Sequence, residues 1–313
     1  MSSQDVGATR EPNIMIPLDG SRFGEAALPV ALGLAQDLRG QLKLVSVSGN
    51  GHVSTRRRIS SISPEHAEPL DSELSQYLET LGTRIERVST VPVSRVVLGG
   101  SATKALAEFN DLSHPDLIVM STHGCGPLCR AWIGSVADWL IRHVATPIML
   151  VHPNETGEVD PAKAHQIRHV VVPLDGSELA EESLEWVKRI VQATNASCTL
   201  IQVAHQSFSA WSPYLRRRAP EVADYTQVGS SASQDYLSSV AGRLQEEGVN
   251  ADTAVDGGVP AAVGVLRCAE ERSADLIVIA SHGRGGLRRL VLGSVADKIV
   301  RASEVPVLVV RPG

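Results

Sequence analysis

The sequence has few cysteines and no long apolar run, and each shortage excludes a class of protein. Four cysteines in 313 residues are too few for a disulfide-based scaffold. No apolar stretch approaches the roughly 20 residues that span a bilayer, which argues against a membrane protein. The polar start, residues 1–12, lacks the apolar core of a signal peptide. We therefore expect a cytoplasmic protein with free thiols. Cys125 and Cys129 could still form a metal or redox pair, although the second half of the chain has no counterpart.

An excess of positive charge is also missing. The chain carries 29 lysines and arginines against 35 aspartates and glutamates, giving a formal net charge of -6. The calculated pI is about 5.9 and the mean hydropathy is close to zero. These values indicate a soluble globular protein without a general basic surface for nucleic acid.

What the chain does contain is a duplicated glycine loop. Ser121-Thr122-His123-Gly124, followed nine residues later by Gly134-Ser135-Val136-Ala137-Asp138, recurs as Ala280-Ser281-His282-Gly283 and Gly293-Ser294-Val295-Ala296-Asp297. Each copy follows an apolar run and precedes an amphipathic stretch, the pattern of a strand, a loop and a helix N-terminus. Because amides at a helix start attract anions and glycine allows close approach, this pattern predicts phosphate binding.

The duplication extends over both halves of the chain. Residues 14–21 recur as 170–177 and residues 116–119 as 275–278, so the offset is 156 early and 159 later. We expect the three-residue difference in the loop after the second strand. Two domains of roughly 150 residues each fit the size of a single core. The proposed boundaries are a flexible tail at 1–12, a first domain at 13–153, a linker at 154–167 and a second domain at 168–313.

Strands and helices alternate within each half. Strands are predicted near 13–18, 42–47, 94–98, 116–121 and 147–151, and near 169–174, 198–203, 251–255, 275–280 and 306–310. Amphipathic helices are predicted at 25–38, 71–88, 102–110 and 136–143. This alternation, with strands that are apolar at consecutive positions, predicts two doubly wound, five-stranded parallel sheets covered on both faces.

The first strand of each half ends in Leu-Asp-Gly-Ser, not in the glycine fingerprint of dinucleotide-binding folds, and the chain has no Walker A sequence. Ligands of a doubly wound sheet lie where the strand order reverses. If the first and fourth strands flank that point, Asp19 and the loop 121–135 face one crevice. Asp19 and Asp175 are then candidates to accept hydrogen bonds from ribose or adenine. An Asx-turn or a helix N-cap is the alternative, and both roles can coexist.

These motifs resemble a tandem universal stress protein, two domains of the adenine nucleotide alpha hydrolase-like, Rossmann-like group. The ATP-binding branch of that family carries Gly-x2-Gly-x9-Gly-Ser/Thr. The second and third glycines and the Ser match as Gly124, Gly134 and Ser135 and as Gly283, Gly293 and Ser294, whereas Ser121 and Ala280 stand at the first glycine.

The resemblance implies an adenine nucleotide site in each domain, with ATP as ligand, with or without Mg²⁺. It also implies that the end of the first strand and the last valine of the second strand contact adenine. The expected contact residues are Pro17, Leu18, Asp19, Val47, Ser121, His123, Gly124, Gly134, Ser135 and Val136, and in the second half Pro173, Leu174, Asp175, Val203, Ala280, His282, Gly283, Gly293, Ser294 and Val295.

Several of these residues have more than one interpretation. His123 and His282 could contact phosphate or backbone, pack in a turn, or act as acid or base, although no nucleophile repeats beside them. The hydroxyls of Ser135 and Ser294 could cap a helix or bind phosphate. The triplets Arg56–Arg58 and Arg216–Arg218 could contact a triphosphate, dock an acidic partner, or lie in solvated loops.

We expect a nucleotide-dependent regulatory protein, and the resemblance implies a role in stress adaptation with a regulatory protein partner and a possible homodimer. A slow ATPase or self-phosphorylating enzyme is one alternative, and a dimerisation protein without nucleotide is another. The fifth strands, 147–151 and 306–310, are apolar without alternation. Since an exposed apolar edge invites aggregation, we expect them to pair across an approximate twofold axis, as the family does.

Overall fold

The computed structural model describes residues 11–49, 72–122, 133–153, 159–160, 162–204, 222–282 and 292–311, with the backbone alone at 204 and 222–230. Three expected contact residues, His123, Gly124 and Gly283, lie outside the described residues. The same is true of Cys125, Cys129 and both arginine triplets.

The first half alternates strands and helices as predicted. Its elements are β1 (Asn13–Pro17), a 3-10 turn (Gly24–Ala26), α1 (Ala27–Asp37), β2 (Gln41–Ser48), α2 (Ser72–Glu86), β3 (Val93–Gly99), α3 (Ala102–Ser113), β4 (Leu117–Ser121), α4 (Ser135–His143) and β5 (Ile148–Val151). Most strand limits fall within one residue of the prediction.

The second half repeats this order. Its elements are β6 (His169–Pro173), α5 (Glu178–Glu181), α6 (Leu184–Thr194), β7 (Ser197–Ala204), α7 (Val222–Glu246), β8 (Asn250–Gly257), α8 (Ala261–Glu271), β9 (Leu276–Ala280), α9 (Ser294–Ala302) and β10 (Val307–Val310). The helix following β6 is divided at residues 182–183, so α5 is a single short turn before α6.

The strands form one ten-stranded sheet in the order β3-β2-β1-β4-β5-β10-β9-β6-β7-β8. Neighbours within each half are parallel, whereas β5 and β10 are antiparallel, with Met149 opposite Leu308 and Ile148 opposite Val309. The predicted doubly wound fold and the pairing of the fifth strands are therefore confirmed. The strand order of the second half, read outward from the junction, is the same as that of the first half. Together with the antiparallel β5–β10 pair, this relates the two halves by a pseudo-twofold axis.

A hydrophobic core covers each face of the sheet because successive strand residues point to opposite faces. Leu117 and Val119 pack with α1, α2, α6 and α7, whereas Ile118 and Met120 pack with α3, α4, α8 and α9. Both cores include residues from the two halves. The junction between the halves is therefore as apolar as their interiors. Complete burial of one such side chain contributes about 1.5–3 kcal/mol to stability.

The buried positions of the helices place the three-residue length difference in the loop after the second strand, as expected. Leu78, Leu81 and Ile85 of α2 correspond to Leu237, Val240 and Leu244 of α7 at the full offset of 159. The offset falls to 158 at the next strand, because Leu42 pairs with Val93 whereas its counterpart Cys198 pairs with Ala251. It returns to 159 in the turn entering α8, where Val259 and Pro260 follow Gly258, whereas Ser101 alone follows Gly100 before α3.

Helices α4 and α9 meet at the junction of the two halves with matching charges. Arg142 donates to Asp138 at 2.8 Å and Arg301 donates to Asp297 at 2.9 Å. The Arg142 hydrogen bond lowers the pKa of Asp138, and Arg301 of the other half lowers it further. Arg311 also crosses the junction, donating from Nη1 to the carbonyl oxygens of Arg142 and Val144 at 3.0 Å.

The second part of the linker is packed against the first domain. The backbone N–H of His165 donates to the carbonyl oxygen of Pro29 at 2.8 Å, and Ile167 is buried. A Cβ at Gly33 of α1 would overlap the carbonyl oxygen of His165. The linker residues after 164 are thus held on α1.

Candidate functional site

A crevice opens where β1 and β4 diverge. Among the described residues, β1 pairs with β4 only at Ile14 and Met15, whereas its pairing with β2 continues to Pro17. The second half repeats this geometry, with β6 and β9 paired at Val170 and Val171. The strand order reverses between these strands, so each crevice lies where ligands of doubly wound sheets bind.

The aspartate that follows the first strand of each half forms a tight local turn. Oδ1 of Asp19 accepts from the backbone N–H of Ser21 at 3.0 Å and from its hydroxyl at 2.7 Å. Oδ1 of Asp175 accepts from the N–H of Ser177 at 3.0 Å and from its hydroxyl at 2.6 Å. The Asx-turn interpretation is therefore confirmed, and ligand contact by these aspartates stays a prediction.

The glycine inside this turn is required by its backbone conformation. Gly20 has a φ of 83° and Gly176 a φ of 81°, values that L side chains rarely adopt. The serine that follows then caps the next turn, because Ser177 Oγ accepts from the N–H of Ala180 at 3.2 Å. The Leu-Asp-Gly-Ser motif thus fixes the direction in which the chain leaves the strand.

The first two strands of each half bring the expected adenine contacts together. The N–H of Leu18 donates to the carbonyl oxygen of Val45 at 2.8 Å, and Leu174 donates to Ile201 at 2.8 Å. Val47 and Val203 lie two residues further along β2 and β7 and are half-buried. Pro17 and Pro173 end β1 and β6, so the residues predicted to contact the base share the carboxyl edge of the sheet.

The start of α4 is held against the end of β4 by a glycine. The N–H of Gly134 donates to the carbonyl oxygen of Thr122 at 2.7 Å, and Gly293 donates to Ser281 at 2.8 Å. A Cβ would lie 2.8 Å from the carbonyl oxygen of Thr122 in the first half and 3.1 Å from that of Ser281 in the second. This close approach, not a positive φ, explains the repeated glycine.

The residues around this glycine differ in two ways from the sequence interpretation. Gly134 and Gly293 occupy the N-cap positions, while Ser135 and Ser294 are exposed first residues of the helices. Of the two roles considered for these serines, helix capping is wrong because Gly134 and Gly293 occupy the N-cap, and phosphate contact stays a prediction. Their exposed hydroxyls, with Val136 and Val295 next in sequence, lie at the positive end of each helix dipole.

Ser121 and Ala280 replace the first glycine of the motif without strain. They are the last residues of β4 and β9 and pair with Val151 and Val310. Because strand residues have extended backbone, no positive φ is needed at either position.

His282 has one ring nitrogen that is hydrogen-bonded and one that is buried without a partner among the described residues. Its Nδ1 lies 2.9 Å from the hydroxyl of Ser281. Its Nε2 is buried and has no hydrogen-bond partner among the described residues. A buried polar atom without a partner costs about 1–3 kcal/mol, so a ligand that supplied the partner would be favoured.

A polar cluster beside each aspartate turn was missed from the sequence. Glu25, Tyr77 and Arg84 recur as Glu181, Tyr236 and Arg243 at the same offsets of 156 and 159. With Asp19 or Asp175, each set forms what we call a quartet. Comparison of the two halves at these offsets would have found it.

The second quartet is closed by hydrogen bonds. Tyr236 donates its hydroxyl to Glu181 at 3.0 Å, and Arg243 donates to the other carboxylate oxygen at 2.5 Å. Burial raises the pKa of Tyr236, and the carboxylates of Glu181 and Asp175 raise it further. These contacts join α7 to α5, immediately after the Asp175 turn.

The first quartet is open. Tyr77 lies close enough to Glu25 to affect its pKa, but its buried hydroxyl has no hydrogen-bond partner among the described residues. Arg84 lies 3.7 Å from Asp160 of the linker instead. Burial raises the pKa of Glu25; Tyr77 and Arg84 oppose this shift, and the charge of Asp19 adds to it.

The two described cysteines are buried inside the second domain. Cys198 and Cys268 are free thiols, and burial raises the pKa of Cys198 to about 12. Both thiols are therefore protonated near neutral pH. Among the described helices, none is both long and apolar enough to cross a membrane.

Comparison with known families agrees with the duplicated architecture. The model of the universal stress protein family matches residues 12–152 and again residues 166–311. The chain belongs to the universal stress protein family. The two matches also make it a tandem member, as the sequence predicted.

Universal stress proteins from bacteria and archaea are among its relatives. One from Mycobacterium tuberculosis is 32% identical over 199 residues, which span 63% of this chain and 62% of that protein. The match thus spans less than two thirds of that relative's length. One from Methanocaldococcus jannaschii is 31% identical over 145 residues, covering 46% of this chain and 82% of the relative.

Solved structures share the tandem arrangement. A universal stress protein from Archaeoglobus fulgidus superposes with a TM-score of 0.64 at 17% identity, covering 97% of this chain and all of that one. A universal stress protein described as putative, from Pseudomonas aeruginosa, gives a TM-score of 0.59 at 17% identity, covering 97% of this chain and 94% of that one. At this identity the likeness concerns the fold alone.

Proposed function

We propose that this universal stress protein is a nucleotide-dependent regulator that binds ATP, with or without Mg²⁺, in one site of each domain. The observation that carries the proposal is the duplicated crevice, with an aspartate turn on one side and a glycine-started helix on the other. A role in stress adaptation, in the cytoplasm and through a protein partner, is part of the proposal and rests on family membership.

The base and ribose would occupy the side of the crevice formed by the first two strands. Asp19 and Asp175 each use Oδ1 to hold their turn, and a carboxylate has further lone pairs with which to accept from ribose hydroxyls. Val47 and Val203 are half-buried and offer an apolar surface to adenine. Pro17, Leu18, Pro173 and Leu174 complete the proposed contacts.

The phosphates would occupy the side formed by the fourth strand and the helix after it. Gly134 with Ser135, and Gly293 with Ser294, place helix-start amides and an exposed hydroxyl together. In the second domain, the buried Nε2 of His282 would gain its missing partner from a phosphate oxygen. The expected contacts by His123, Gly124 and Gly283 belong to this part of the proposal.

Hydrolysis or self-phosphorylation is the enzymatic alternative. The hydroxyl of Ser281 bonds His282, but Ser281 is only 2% exposed and is therefore poorly placed to receive a phosphoryl group. This burial argues against self-phosphorylation at Ser281. Magnesium-dependent ADP release above a buffer blank would support the enzyme instead.

A dimerisation protein without nucleotide is the second alternative. The fifth-strand edge that the family uses for pairing is already occupied within the chain by the β5–β10 junction. A homodimer would therefore have to use another surface.

Mass analysis of ligand released from purified, denatured protein tests the proposal. We expect adenine nucleotide in the released material, at up to two molecules per chain. Protein that carries no nucleotide and takes up none from millimolar ATP would support the dimerisation alternative.

A further inference from the structure

The two quartets contain the same residue types but differ in pairing. In the second domain, Glu181 accepts from both Tyr236 and Arg243. In the first domain, the Tyr77 hydroxyl has no hydrogen-bond partner among the described residues, and Arg84 is directed to Asp160. The arginine contact that closes the second quartet is thus absent from the first, and the tyrosine contact with Glu25 lacks hydrogen-bond geometry.

Arg84 pairs with an acidic residue of the linker instead of with Glu25. Oδ1 of Asp160 lies 3.7 Å from Nη2 of Arg84, and His165, five residues later, is fixed to Pro29 on α1. Asp160 is tied to this packed part by a turn, in which the N–H groups of Ala162 and Lys163 donate to its side chain and its carbonyl oxygen. In the part of the chain that the structure describes, Arg243 has no corresponding linker acid and bonds Glu181.

We infer that the linker regulates the first nucleotide site, because Asp160 draws Arg84 away from Glu25 and thereby weakens nucleotide binding beside Asp19 relative to the second site. This inference rests on the proposed function. It makes the two duplicated sites unequal in affinity, with the linker as the cause.

Charge is the first reason why the first site should bind ATP more weakly than the second. Glu25 lies beside Asp19, without an arginine within hydrogen-bond distance among the described residues, whereas Arg243 neutralises Glu181 directly. Arg84 acts on Glu25 only from a distance, so a polyanionic nucleotide is repelled more strongly by the less completely neutralised carboxylates of the first site. Exposed ion pairs contribute about 0.2–1 kcal/mol, which corresponds to an affinity difference of at most about fivefold.

Restraint of the aspartate turn is the second reason. The closed quartet ties α7 to α5, next to the Asp175 turn. The open quartet lacks the arginine part of this tie, so the segment that carries Glu25 after the Asp19 turn is restrained less by α2. Ordering a mobile segment on binding lowers affinity.

The test isolates the first site with Gly293→Glu, which places a charged side chain at the phosphate end of the second site. In this background we expect Asp160→Asn to tighten ATP binding about threefold in calorimetry, within the range of exposed ion pairs. Glu25→Gln should also tighten it, and Asp160→Asn should then add little, because both changes act on the same pair. An Asp175→Ala background gives a second way to isolate the first site if Gly293→Glu fails to fold.

Three controls separate the inference from a general charge effect. Asp160→Glu keeps the charge and should leave the affinity unchanged. Glu270→Gln removes an exposed acid of the second domain and should also leave it unchanged. In a Gly134→Glu background, which isolates the second site, Asp160→Asn should have no effect.

Two results would overturn the inference. If ATP binds both sites but Asp160→Asn changes neither affinity, or changes both equally, the linker does not regulate the first site. If ATP binds in neither background nor to the unsubstituted chain, the proposed function itself is wrong and the inference fails with it.

Discussion

Met149 of β5 lies directly opposite Leu308 of β10, and both side chains are completely buried. This pair sits at the centre of the antiparallel junction that joins two parallel half-sheets into one. The junction removes the apolar edge that each half would otherwise expose, since edge strands invite aggregation. Pro147 and Pro306 precede the paired strands and act through their carbonyl oxygens, which accept from Ile118 and Ile277 at 3.0 Å.

Met149→Lys should destabilise the junction. A lysine ammonium placed there would be buried without a partner, and changes of this kind cost several kcal/mol. We expect a lower urea midpoint and faster proteolysis in the first part of the linker, 154–161. Val309→Lys should act similarly from the other face of the sheet. Val263→Lys, at an exposed position of α8, is the control and should change stability by less than about 0.5 kcal/mol. Equal stability of the Met149 and Val263 variants would contradict the role of the junction.

Gly33→Ala should destabilise the protein although alanine is the better helix former. The new Cβ would overlap the carbonyl oxygen of His165, so the linker would have to leave α1. Gly242→Ala on α7 is the matched control, because among the described residues no heavy atom outside its own stretch of helix lies within 4 Å of the position of its Cβ. That change should stabilise by about 0.5–1 kcal/mol in thermal or urea unfolding. If both variants were stabilised, the packing of the linker on α1 would be wrong.

Protonation of His169 should lower the free energy of unfolding as the pH falls. Its Nδ1 lies 2.7 Å from the Ser197 hydroxyl and its Nε2 3.0 Å from Thr199, whose hydroxyl donates to Asp252. Burial lowers the pKa of His169 below its ordinary 6.5; Asp252 and Asp275 oppose this and Arg272 adds to it. The unfolded chain therefore binds the proton more readily, so stability falls as the pH drops below about 6.5.

His169→Asn tests this linkage, because Asn13 occupies the matching position in the first half. Urea unfolding between pH 8 and pH 5 should show a smaller loss of stability in the variant than in the parent chain. The same loss in both would assign the acid sensitivity to other groups.

Alanine at the two loop glycines should weaken nucleotide binding to different degrees. The added Cβ would lie 2.8 Å from a backbone oxygen at Gly134 but 3.1 Å at Gly293, so the first site needs the larger backbone shift. Native mass spectrometry of ATP complexes should show a greater loss of one bound nucleotide for Gly134→Ala than for Gly293→Ala. The opposite order would mean that the approach of these glycines to the preceding carbonyl does not shape the phosphate end.

The six central strands, β1, β4, β5, β6, β9 and β10, could be predicted from the sequence because each contains an uninterrupted apolar run. Residues 276–280, for example, are buried at every position, as expected for a strand with helices on both faces. The β5–β10 pairing was predictable for a related reason, since two apolar edges need cover.

The details of the site were less predictable because they depend on register and on choices between partners. Val259 is recognised as an additional residue before α8 only from the register of β7 and β8, which no local sequence pattern encodes. Gly134, not Ser135, caps α4 because the glycine alone can approach Thr122 closely. The quartets were detectable from the repeat offsets, but nothing in the sequence shows that Arg84 pairs with Asp160 instead of Glu25.

Calorimetric titration of ATP into the intact chain tests the central claim most directly. The account predicts saturable binding at two sites per chain, reduced to one by Gly134→Glu, which adds bulk and negative charge at the first helix start. Even a site with a Kd of about 1 mM corresponds to about -4 kcal/mol, so millimolar ATP suffices to reveal it. Absence of saturable binding at millimolar ATP, or two intact sites in the Gly134→Glu variant, would contradict the account.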